Sequence, residues 1–120
     1  MAFYVAPALL NDAADNEVSE TIQLRIHSAS PGNNGTTARI GTFTVDHVEG
    51  EWTDAAAGVV ATTVDSEFGV LHASNTVTVT HLGFWRGGVF RGWVTLASSA
   101  AVAGGSPFVI SGGSVKIRYR

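Results

Sequence analysis

Four histidines, His27, His47, His72 and His81, are the side chains of this sequence that ordinarily titrate near neutrality. A zinc site wants close ligand pairs such as His-x-His or His-x3-His, so that one element brings two imidazoles to one ion. Here His72 and His81 lie nine positions apart, and His27 and His47 twenty apart. The chain has no cysteine, so it has neither a thiolate ligand nor a thiol nucleophile, and no disulfide. A dispersed Ser-His-acid triad leaves no spacing to read, but no serine stands in the G-x-S-x-G context of a nucleophile elbow. Asp46, Glu49, Glu51, Asp54, Asp65 and Glu67 offer carboxylate pairs of the kind that hydrolyse glycosides, yet they cluster in turn-rich stretches where solvated charge is the simpler role. Residues 11–17 fit a calcium loop poorly, and Gly32, Gly35 and Gly41 lack the Lys-Ser/Thr ending of a phosphate loop. The expectation is a chain with no catalytic residue, no metal and no cofactor, and therefore not an enzyme.

The elements around these residues read as strands. From Thr21 the apolar period becomes two: Ile22, Leu24 and Ile26 share one face, with Gln23, Arg25 and His27 on the other. A turn-rich loop, SPGNNG, follows at residues 30–35. Phe43, Val45 and His47 alternate with Thr44 and Asp46 as a second strand, residues 58–64 suit a third, and residues 76–85 a fourth. Residues 107–110, a Gly112-Gly113 turn and a strand over residues 114–120 close the chain, with Val115, Ile117 and Tyr119 on one side and Lys116, Arg118 and Arg120 on the other. Seven or eight short strands predict an all-β, single-domain β-sandwich or jelly roll over residues 21–120. Residues 1–20 form an N-terminal arm or short helix, limited in its start by Pro7.

Gly87-Gly88 predicts a two-residue hairpin turn. An unbroken register from that turn pairs Trp85 with Phe90, Gly83 with Gly92, His81 with Val94 and Val79 with Leu96 on a core-facing side. Its other side pairs Leu82 with Trp93 and Phe84 with Arg91. Apolar residues on both sides imply that both faces are covered, the second by another element or by a subunit contact. Leu82, Phe84, Arg91 and Trp93, with Lys116 and Arg118 of the last strand, are thus the candidate interface. Trp85 is expected in the core, and Trp52 against its own loop rather than serving as a sugar-stacking platform.

Charged residues make up only 14% of the 120, which is low for a monomer's surface and points to surface covered in the working state. All ten acids fall at or before Glu67, where only Arg25 and Arg39 oppose them, a net −8. From Phe68 onward there are five basic residues and no acid. The first reading is that the halves interleave in one fold; the second is a bipolar surface suited to head-to-tail or ring contacts. The net charge of −3 gives no reason to expect nucleic acid as a partner. The start, MAFYVAPALLNDAAD, lacks the basic flank of a signal peptide and is broken by Pro7, so neither a leader nor a membrane span is expected.

Three stretches carry a resemblance: LRIHSASPGNNG at residues 24–35, VTHLGFWRGG at residues 79–88 and AVAGGSPFVISGGSVKIRY at residues 101–119. In this order they resemble a family of small tailed-phage virion proteins with LHTADPG-x-x-G, VTHxGxFDA and VxxGDxPxFxxG motifs. The sequence departs from that pattern at Ser30 and Gly105, where the family has turn-forming aspartates. The resemblance implies a structural part of a phage particle, folded in the bacterial cytoplasm and located in the virion, with no catalytic residues to carry over. Members are labelled as tail-fibre-like or capsid surface proteins. The favoured expectation is a capsid decoration protein that binds the outer shell as a homo-oligomer, with a trimer the natural guess, and that partners the major capsid protein or other virion proteins. The alternative is a tail-fibre or baseplate component with a receptor or carbohydrate role.

Overall fold

Ile22, Leu24 and Ile26 are each fully buried, as the alternation of the first strand requires. They lie on β1 (Ile22–His27) of a computed structural model that describes residues 7–118. The chain runs α1 (Pro7–Glu17), β1, β2 (Arg39–His47), a 3-10 turn (Glu49–Glu51), β3 (Val59–Ala61), β4 (Ser66–Val70), β5 (Val77–Arg86), β6 (Val89–Val102), β7 (Pro107–Ile110) and β8 (Lys116–Arg118). Among the described residues every strand pairing is antiparallel. A four-stranded sheet has the order β2-β1-β5-β6, and two further pairs, β3-β8 and β4-β7, supply the opposing side. Between them lies one core, in which Ile22, Leu24, Ile26, Leu82 and Phe84 of the large sheet join Trp52, Val60, Phe68, Phe108 and Val115. The architecture is an all-β sandwich with a short N-terminal helix.

The helix begins on Pro7, whose fixed φ and missing N–H suit a first helical position. Ala14 and Val18 are buried in the core. Side chains of the same segment tie it down: the Gly58 N–H donates to Asn11 Oδ1 at 2.7 Å and the Ala55 N–H to Asp15 Oδ1 at 2.9 Å. The first six residues of the expected arm lie outside the described residues, as do Tyr119 and Arg120 of the expected last strand.

The β5–β6 hairpin turns at Gly87 and Gly88, both at positive φ (56° and 78°), as a type I′ turn demands. Trp85 stands opposite Phe90 as expected, but the register then slips. Arg91 is an extra residue on β6, so Phe84 pairs with Gly92, Gly83 with Trp93 and Leu82 with Val94. A second irregularity sets Val79 opposite Ala100 rather than Leu96. Gly92, at φ 148°, absorbs the first bulge without a side chain to strain.

The slip corrects the expected faces. Leu82 and Phe84, at 2% and 6% exposure, belong to the domain's own core. Trp85 lies on the opposite side, with its ring 5.4 Å from that of Phe90 and 4.0 Å from the Arg25 guanidinium carbon. That side is covered by the chain itself. The loop after β1 lays Gly35 so close against the Phe90 ring that no Cβ would fit, and its φ of +73° independently favours glycine. His27, fully buried, donates from Nδ1 to the Thr37 carbonyl at 2.8 Å and pins the same loop. The outer face is therefore covered by residues 28–38 around His27 and Phe90, whereas Trp93 and Val94 of β6 stay exposed at 44% and 37%.

Candidate interaction site

The six residues singled out from the sequence do not form one patch. Leu82 and Phe84 are core. Trp93, moved to the other face by the Arg91 bulge, remains 44% exposed and meets His81 edge-on at 5.3 Å. Arg91, Lys116 and Arg118 come together with Glu17, Phe84, Ile117 and β6 around a cavity of about 300 Å³. A second cavity of about 550 Å³ continues along β6 past Leu96 and Ala100 to Phe108, Val109 and Ile110 of β7. The two share Val94 and Lys116 in their walls, so they make one trough, basic at one end and apolar at the other. β6 pairs on one side only, with β5, and the opposing strands do not close over it.

Arg91 is held at the basic end by a residue that no local pattern singles out. Glu17, at the end of α1 and 5% exposed, accepts hydrogen bonds from Arg91 Nε at 2.7 Å and Arg91 Nη2 at 2.8 Å. Arg86 Nη1 adds a contact at 3.3 Å to the same carboxylate and also reaches the Asn16 and Glu17 carbonyls. A buried carboxylate is tolerated only with such pairing. These contacts join the acidic first half to the basic second half, so part of the charge separation along the chain is resolved by interleaving. Lys116 and Arg118 are different: both are exposed, and neither side chain makes an ion pair or hydrogen bond among the described residues.

The histidines are spread through the fold, and no cluster of three metal-ligating side chains occurs among the described residues. His72 accepts backbone N–H groups of Ser74 and Asn75 at its Nδ1. Burial holds the His27 imidazole below its ordinary pKa; the Thr37 hydrogen bond opposes that shift, while Arg39, His81 and Arg25 add to it. With Nδ1 donating to Thr37, Nε2 carries the lone pair and has no hydrogen-bond partner among the described residues.

One grouping has the outline of a hydrolytic triad and was not legible from spacing. His47 Nε2 lies 2.7 Å from Ser66 Oγ, and its Nδ1 lies 3.8 Å from Glu51 Oε2. Ser66 is fully buried and His47 is 1% exposed, with the Trp52 ring edge-on at 5.9 Å. A serine that no substrate carbonyl can approach does not serve as a nucleophile in this arrangement. Here the hydrogen bond satisfies two polar groups buried between β2 and β4. Trp52 is 6% exposed, which leaves no free ring face for stacking on a sugar.

The trough is thus basic at the end of Lys116 and Arg118 and apolar toward Phe108 and Ile110. Across nearly the whole chain, residues 1–118, the sequence matches the family model described as "Podophage GP4 fiber I protein gp80", and the chain belongs to that family. The match supports the broader resemblance to phage virion structural proteins, but not membership of the LHTADPG-type family. A comparison with curated proteins finds no match.

Proposed function

We propose that this member of the gp80 family is a fibre-associated subunit of the phage particle, acting through protein–protein contacts and not through catalysis. The observation that carries this reading is the family match, which spans α1 and all eight strands and names a fibre protein. It favours the fibre over the shell-decoration role expected from the motifs. The geometry supports a contact role. Exposed Lys116 and Arg118 flank a trough that runs along the open edge of β6, while Ser66 and His47 of the Ser66–His47–Glu51 grouping are buried and offer no reachable nucleophile. Its partners are then other virion proteins and further copies of itself.

Immunogold labelling of purified particles with antibody raised against the folded chain tests this reading. Gold confined to the tail fibres or their attachment is the expected result. Gold distributed over the head shell would replace it with shell decoration, and particles that carry none of the chain would remove it from the virion.

A further inference from the structure

The basic trough has a counterpart on the same molecule. Asp15, Glu49 and Asp54 line a third cavity, of about 590 Å³, together with Val18, Gly50, Trp52 and Thr53. Asp15 lines this acidic cavity and Glu17 lines the basic one. Two residues apart on a helix are about 200° apart around its axis, so the two cavities lie on opposite sides of α1. They cannot meet within one chain. Glu49 and Asp54 are exposed, and neither side chain makes an ion pair or hydrogen bond among the described residues. Val48, next to Glu49, is 52% exposed.

We propose that copies of this chain associate head to tail, the acidic turn at residues 48–54 of one copy seating in the trough of the next. Glu49 and Asp54 then face Lys116 and Arg118, with Arg91 behind them, and Val48 enters toward the apolar wall of Val94, Leu96 and Val109. The choice of a second copy as occupant rests on charge complementarity between two surfaces of the same chain. The two surfaces differ, so the contact is heterologous and closes into a ring or continues as a row. The proposal stands on the geometry alone and holds wherever on the particle the chain sits.

Sedimentation velocity of the full chain, with native mass spectrometry of mixtures, tests it. The wild-type protein should associate with rising concentration and dissociate as salt is raised, because both sets of charges are exposed. One variant carries Lys116→Glu and Arg118→Glu, and another carries Glu49→Lys and Asp54→Lys. Each alone should lose association by at least about tenfold in dissociation constant, through like charges at the contact. Mixed in equal amounts, they should recover association in species containing both variants, since the acidic trough of one now faces the basic turn of the other. If a double variant fails to fold, Lys116→Gln and Glu49→Gln, both at exposed positions, should each still weaken association. A wild-type chain that stays monomeric, a trough variant that fails while the turn variant associates normally, or a mixture no better than its parts would each overturn the proposal.

Discussion

Glu17 and Arg91, 74 positions apart in the chain, are joined by two parallel hydrogen bonds of 2.7 and 2.8 Å. One residue ends the helix and the other is the bulge of the long hairpin, so the pair fixes α1 to the part of β6 where the register slips. Because the carboxylate is buried and both arginines are partly exposed, the pair is worth less than a fully buried one. Glu17→Ala should lower unfolding stability by about 2 kcal/mol, below the about 3–5 kcal/mol of breaking a fully buried pair. Urea unfolding checks this, and an unchanged midpoint would show that Ala14, Val18 and the Asn11 and Asp15 hydrogen bonds hold α1 without the Glu17 pair.

Phe84 and Trp93 should behave oppositely. Phe84→Ala removes a core aromatic at 6% exposure and should cost about 3–5 kcal/mol. Trp93→Ala, at 44% exposure, should change stability by less than about 1 kcal/mol. Thermal melting of the two variants compares them directly. A large loss at Trp93 would return that ring to the core and contradict the bulge at Arg91.

The loop over the outer face rests on Gly35. Gly35→Ala strains a positive φ and displaces the Phe90 ring, and should cost about 2 kcal/mol or more. Gly50→Ala, with no atom within reach of a new Cβ and no positive φ, should be nearly neutral and serves as the control. Equal stability of the two variants would mean that the loop does not pack on Phe90.

Stability should also fall with acid through His27. Its folded pKa is depressed by burial, so below the unfolded value of about 6.5 the unfolded chain binds a proton that the native chain does not. The stabilisation is complete above about pH 7 and is lost as pH falls from there through the folded pKa, with a slope approaching about 1.4 kcal/mol per unit. An NMR titration of the His27 ring should show a midpoint below 6.5. A midpoint at or above that value would contradict the neutral, Nδ1-protonated ring that pins Thr37.

The sequence made parts of this legible wherever one local rule decided the outcome. The period of two placed Ile22, Leu24 and Ile26 inside, and Gly87-Gly88 placed the turn, because both depend only on neighbouring residues. Past the turn, alternation alone could not reveal that Arg91 is an extra residue, and one added residue moves the side chains that follow, up to the second irregularity, to the other face. That slip separated Leu82 and Phe84 from Trp93. β4 was not anticipated, since Ser66–Val70 is short and its pairing is broken at Gly69, which sits at φ 83°. Lys116 and Arg118 were found from alternation on the last strand, whereas Glu17 was missed because its role depends on arginines about 70 positions away.

A reconstruction of the intact particle that resolves its appendages would locate the chain on the fibre or on the head. This sandwich, 52 × 30 × 26 Å in extent, should fit repeated density in a tail fibre or at its attachment to the particle. Density for the chain found only on the outer surface of the head, with none at the fibres, would contradict it.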